Sequence, residues 1–335
     1  MTGRLCRVGA LACVVALVGV GTPVKAYLKV GVDTPSGTVA IKWTQLPVRY
    51  FVSDVGVSGV SSGQLHDAVV RSFNTWHAVA SATVDSQFVG FTSASPVEED
   101  DMSTIGFDNR PDLERTLAAT HYVVDTRSGQ ILEADIFLNA AFPWSVAEAG
   151  EAGSYDVESI TTHEIGHLFG LGHSALGETE LEGGGRSLIA SGAVMFPIAF
   201  SAGNITGRTL FPDDVAGISD LYPSATFRSS TGTLEGTVTL NGQGLFGAHI
   251  VALNLSTGAM IGGFALEPSG HFVIGGLAPG TYIARVEPLD DGDVGSFLSA
   301  DLPVNTEFRV TYAKELATMH AGAARSGITV AVVPK

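Results

Sequence analysis

The run Thr162-His163-Glu164-Ile165-Gly166-His167-Leu168-Phe169-Gly170-Leu171-Gly172-His173-Ser174 constrains this chain more than any other feature. Two histidines four apart on a helix lie on one face about a turn from each other, so His163 and His167 can both reach one cation at about 2.0–2.1 Å. Glu164 is turned about 100° around that helix, where its carboxylate reaches a metal-bound water without ligating the metal, as a general base must. Gly170 suits the left-handed conformation that ends a helix and reverses the chain, which brings His173 back as a third nitrogen ligand and leaves a fourth position for water. With the chain's own composition, roughly 4 × 10⁻⁵ such matches are expected by chance.

The rest of the composition narrows the setting. The 335 residues, 45 % hydrophobic, suffice for one large domain or two ordinary ones. A net charge of −16 opposes binding to phosphate backbones or anionic membranes, so no nucleic-acid partner is expected. Both cysteines, Cys6 and Cys13, lie near the N-terminus, so any metal must be held by His, Asp or Glu. Arg4 and Arg7 precede an apolar run from Val8 to Val20, followed by small residues up to Ala26. Residues 1–26 therefore read as a secretory signal peptide cleaved after Ala26, which predicts a secreted, extracellular, cysteine-free protein. The apolar run is too short for a membrane span, and no later stretch comes closer.

Between about 41 and 223 the pattern mixes strands and helices. Strands are expected at Trp43–Val52, Thr83–Phe91, Ala118–Val124 and Ile131–Asn139, the last two separated by a turn at Asp125–Gly129. Leu65, Val69, Phe73, Trp76 and Ala80 form one face of an amphipathic helix over Ser62–Ala80, with His66 and His77 as ordinary members of it. Glu98-Glu99-Asp100-Asp101 reads as a solvated loop that could hold a structural Ca2+. Residues 224–231 are small and polar, a linker across which few core contacts are expected. From 232 onward short β-rich runs alternate with turns, the cadence of a β-sandwich. Residues 232–290 carry it most clearly, and the remainder to Lys335 either completes that sandwich or begins another. His249, His271 and His320 are scattered there without ligand spacing.

The histidine run resembles the extended zinc signature of the metzincins, and Ser174 after the third histidine resembles the matrixin branch. Val194-Met195-Phe196-Pro197 resembles the Met-turn, whose methionine lies beneath the metal, and Asp213–Tyr222 resembles the closing helix. Ile131–Asn139 resembles the edge strand that lies along the substrate in bacterial matrixin-like peptidases. The departures are also informative. Only about fifteen residues, none of them Cys, separate the leader from Trp43, so no thiol latch is expected. His121 is the single His between His77 and His163, which leaves one zinc site rather than two. Phe196 replaces the Tyr of some relatives, and Phe211 stands at a helix cap usually held by Ser or Thr. The Leu234–Val238 and Gly276–Tyr282 runs resemble a carboxypeptidase-regulatory or prealbumin-like sandwich.

The resemblance implies an α+β metzincin catalytic domain over 41–223, a mixed twisted sheet with an active-site helix, followed by an all-β sandwich over 232–335. It implies one catalytic Zn2+ on His163, His167 and His173, with Glu164 as catalytic base and Met195 and Gly170 in support. The implied activity is a secreted metalloendopeptidase acting on protein or peptide substrates, with an unidentified ligand for the sandwich. The alternative is a catalytically inactive peptide-binding or adhesive protein that presents the sandwich.

Overall fold

The computed structural model describes residues 28–34, 37–182, 185–299 and 302–335, together with the backbone of Cys6–Arg7. Apart from that dipeptide, the leader expected over 1–26 lies outside the described residues, as does its cleavage point. Among the described residues no helix is long and apolar enough to cross a membrane.

The first half is built on a six-stranded sheet in the order Cys6–Arg7, Ala118–Asp125, Gln130–Asn139, Ser103–Asp108, Val48–Ser53, Ser86–Thr92. Four of these run parallel to their neighbours, while Ala118–Asp125 is antiparallel to Gln130–Asn139. The turn at Asp125–Gly129 forces that reversal, with Gly129 at φ +75. This corrects one expectation. The strand expected at the edge over Ile131–Asn139 is the internal strand Gln130–Asn139, mostly buried along its length, whereas Ala118–Asp125 stands outside it and, among the described residues, carries only Cys6–Arg7 on its outer side. The apolar run Ile136-Phe137-Leu138 is the signature of a strand covered on both faces.

Helices α1 (Ser62–His77) and α2 (Val157–Leu168) pack against this sheet. A reciprocal capping box starts α1, in which Ser61 Oγ accepts from Gln64 N while Gln64 Oε1 accepts from Ser61 N. Its Leu65, Val69, Phe73 and Trp76 are buried as the periodicity predicts, although the helix stops at His77 and leaves Ala80 in a turn. Trp76 Nε1 donates to Thr162 O at 2.9 Å and Ser72 Oγ to Glu158 O at 3.0 Å, locking α1 to α2. Both bonds satisfy groups that would cost about 1–3 kcal/mol if buried unpaired. Truncating a side chain as large as Trp76 there costs about 3–5 kcal/mol.

The second half forms two sheets. Gly232–Leu240 pairs with His271–Leu277 and with Ala324–Val332, while His249–Asn254 lies between Met260–Phe264 and Gly280–Glu287. One buried cluster joins both sheets, with Leu234 and Val238 from the first and Ile250, Tyr282 and Val286 from the second. Ile328, Val330 and Val332 enter the same cluster, so the last residues complete this body rather than begin another.

The linker expectation does not match the packing. Phe227–Ser230 forms a helical turn with Phe227 buried. The two halves also share buried apolar clusters. Leu28, Ala175 and Phe196 pack with Phe264, Leu289, Phe297 and Leu298, and Leu176 and Ala193 pack with Val251. A polar connecting segment says nothing about surfaces contributed by other parts of the chain, which is why the contact is invisible at that point in the sequence.

Candidate metal centre

Helix α2 carries the first part of the site. Asp156 caps it by accepting from Ser159 N at 2.8 Å, and Arg208 grips the same carboxylate with two nitrogens at 2.6 and 2.9 Å. The helix ends after Leu168. Gly170 then adopts φ +99, and a Cβ there would stand 2.3 Å from Ile41 O, so only glycine can make this reversal. The reversal returns His173 to the helix face that carries His163 and His167.

The three imidazoles converge as the spacing predicts. His167 Nε2 lies 3.1 Å from His163 Nε2 and 3.2 Å from His173 Nε2. Each Nδ1 faces a backbone carbonyl: His163 that of Val194 at 2.7 Å, His167 that of Leu171 at 2.7 Å, and His173 that of Ser296 at 2.6 Å. A carbonyl oxygen only accepts, so each Nδ1 carries the proton and each Nε2 presents a bare lone pair. Three lone pairs held this close repel one another unless a cation lies among them. Tetrahedral zinc with bonds of about 2.0–2.1 Å separates its ligands by about 3.3–3.4 Å, close to the spacing seen. The residues therefore fit zinc. Burial lowers the pKa of all three histidines, that of His173 to about 3, so protons do not compete for these nitrogens near neutral pH. Among the described residues, these three form the one group of three or more potential ligands close enough to share an ion. His66, His77, His249, His271 and His320 do not join such a group, and neither does the acidic run at 98–101, where Asp101 N donates to Glu133.

Glu164 is 5 % exposed, and burial raises its pKa to about 7, offset in part by a hydrogen bond from Thr120. Thr120 Oγ1 lies 2.8 Å from Glu164 Oε2 and 3.1 Å from Glu164 O, and Tyr122 Oη donates to His167 O from the same strand. The Ala118–Asp125 strand is thus stitched to the helix directly at Glu164. Met195 lies against the helix between the first two ligands. A Cβ on Gly166 would stand 2.3 Å from its sulfur, which explains the glycine at that point of the run.

Below the site, Asp214 Oδ2 accepts from Val194 N at 2.8 Å and Phe211 N at 2.9 Å, and Asp214 Oδ1 accepts from Met195 N at 3.1 Å. Asp214 thereby starts α3 (Pro212–Leu221) although Phe211 offers no capping oxygen. Asp213 accepts from Ser174 Oγ at 2.6 Å and Gly262 N at 2.7 Å, joining the third-ligand loop to the second half of the chain. Burial raises Asp213 to about 7 and Asp214 to about 6.

His163, His167, His173, Glu164, Met195 and Gly170 all fall at this centre. Thr120 and Ser296 are not legible as site residues in the sequence, and Asp214 is legible there only as part of the first turn of the closing helix. Thr120 falls on the strand expected over Ala118–Val124, but nothing in the sequence sets that strand beside the metal centre. Ser296 has no signal, since any residue but its neighbours could offer a carbonyl.

A sheet backed by two helices, with three imidazoles converging beside a buried carboxylate, defines a histidine-ligated metalloprotein. The sequence model for the matrixins matches residues 42–223, and the chain belongs to that family. Metalloendoproteinase 1-MMP of Arabidopsis thaliana is 28 % identical over 199 residues, covering 54 % of this chain and 44 % of that protein. Metalloendoproteinase 5-MMP of the same plant is 42 % identical over 67 residues, covering 20 % and 14 % respectively. The chain thus spans less than half the length of these relatives.

Proposed function

We propose that the protein is a secreted zinc-dependent endopeptidase that hydrolyses peptide bonds of extracellular proteins. The observation that carries this reading is the buried Glu164 carboxylate beside three convergent imidazole nitrogens, held by the Thr120 hydroxyl. His163, His167 and His173 would hold the zinc, which supplies a Lewis acid for the scissile carbonyl and lowers the pKa of the attacking water. Glu164, whose charged form is favoured by the hydrogen bond from Thr120, takes a proton from that water near neutral pH and passes it to the nitrogen of the departing amine. Glu164 makes no covalent bond to the substrate.

The division into a leader over 1–26, a catalytic region over 41–223 and a β-sandwich accessory from 232 belongs to the same proposal. Cleavage after Ala26 would remove Cys6–Arg7 from the outer side of Ala118–Asp125. That leaves a free strand edge beside the base, to which an extended peptide can add. The sandwich would take a ligand of its own. The intact Glu164 disfavours an inert adhesive protein, because a purely structural zinc usually has four protein ligands.

Glu164→Gln tests the mechanism, since it removes the base and no ligand. Zinc content should stay at the wild-type level while hydrolysis of casein falls by about two orders of magnitude or more. Comparable turnover with unchanged zinc would rule out this role for Glu164.

A further inference from the structure

We infer that the second half of the chain is part of the metal centre, and that the turn Asp293–Leu298 positions the third metal ligand. The inference rests on the metal reading given above, but not on any step of hydrolysis. The carbonyls that orient His163 and His167 come from the catalytic half. The one that orients His173 comes from Ser296, 123 residues further along the chain.

The turn that presents this carbonyl is well defined. Asp293 caps it through Oδ1 to Gly295 N at 3.2 Å, and Ser296 N donates to Asp293 O at 2.8 Å. Phe297 N and Leu298 N both donate to Val294 O, at 3.0 and 2.9 Å. The next two side chains anchor it. Phe297 and Leu298 are 2 % and 1 % exposed and share a buried cluster with Ala175 and with Phe196, the residue after Met195. A second tie reaches the same loop, because Asp213 bridges Ser174 Oγ and Gly262 N. The third-ligand loop is therefore fixed from two sides by the second half, at His173 itself and at the residue that follows it.

Two effects follow for metal binding. The carbonyl keeps the proton on Nδ1, so that Nε2 remains the donor to the metal. The anchored turn also removes freedom that the imidazole would otherwise lose when the metal binds. Loss of such an outer partner typically costs about 10- to 100-fold in metal affinity. Ser296 acts through its main chain, as a positioning residue and not a catalytic one.

The test measures affinity of the full chain for Zn2+ and Co2+ by chelator competition, together with the visible absorption of the cobalt form. Ser296→Pro removes the N–H that closes the turn onto Asp293 O, and Leu298→Ala removes one anchor while leaving the turn's hydrogen bonds intact. Phe272→Leu serves as the comparison: it weakens the core between the two sheets without touching the His173 loop. Both turn variants should bind Zn2+ about tenfold or more weakly and change the cobalt spectrum, whereas Phe272→Leu should match wild type in both. Two results would overturn the inference: wild-type affinity and spectrum in Leu298→Ala or in Ser296→Pro with circular dichroism intact, or an equal loss in Phe272→Leu. Glu164→Gln should retain wild-type metal affinity here, so failure of the hydrolytic reading and failure of this inference give different results.

Discussion

His163 and His167 stand on one helix, while His173 stands on the loop after it, tied by Gly172 N to Leu28 O at 2.7 Å and by Ser174 N to Met195 O at 2.8 Å. The first pair is spaced by α2, with its cap at Asp156 and its packing on Trp76, while the carbonyl behind the His163 ring comes from Val194 outside the helix. The third ligand needs a glycine to turn the chain, Asp213 beneath Ser174 and the Ser296 carbonyl behind the ring. A metal centre can therefore be half local and half tertiary. The tertiary half draws on more distant parts of the chain than the local half does.

Removing the second half should break this contrast most severely. A chain ending at residue 223 exposes Ala175, Leu176, Ala193, Phe196 and Ala216, all buried here against residues beyond 232. The truncated protein should be prone to aggregate and should bind Zn2+ at least about tenfold more weakly, measured by chelator competition on its soluble fraction. A soluble truncation with wild-type affinity would mean that the loop holds itself.

Gly170→Ala probes the reversal between the two halves of the centre. The left-handed conformation alone costs a non-glycine residue about 1–2 kcal/mol, and the contact with Ile41 O adds to that. Urea unfolding should show a loss of at least about 2 kcal/mol, and zinc affinity should fall with it. An equal substitution at Gly153, which also has a positive φ of +84 but where an added Cβ would meet nothing within 4 Å, should cost less and leave zinc affinity unchanged.

Thr120→Val has the smallest expected effect and the most specific one. Its hydroxyl lowers the pKa of Glu164 by donating to the charged form, so removing it raises that pKa and leaves less free base at a given pH. The acid limb of the kcat/KM profile should therefore move to higher pH, with kcat lowered about tenfold at neutral pH and zinc content unchanged. Thr120→Ser should restore both. A Val variant with a wild-type pH profile would mean that the hydroxyl serves only the helix backbone.

The legible part of the centre is the part fixed by local geometry. His163, His167 and Glu164 follow from helical spacing, Gly170 from the need to turn, and α1 from its apolar stripe. Gln130–Asn139 is misplaced at the sheet edge when its resemblance to an edge strand is weighed above its near-continuous apolar run. The packing of Phe297 and Leu298 on Phe196 is illegible because each residue reads as ordinary core, and periodicity does not say which core. Ser296 is the extreme case, since a main-chain carbonyl leaves no mark in the sequence.

The most direct measurement is the zinc content of the full chain together with its digestion of an unbiased peptide library, read by mass spectrometry before and after chelation and after zinc is restored. The expected result is one zinc per chain and cleavage at internal peptide bonds that stops on chelation and returns with zinc. One zinc per chain with no cleaved bond would contradict it and would leave a metal-binding protein without peptidase activity.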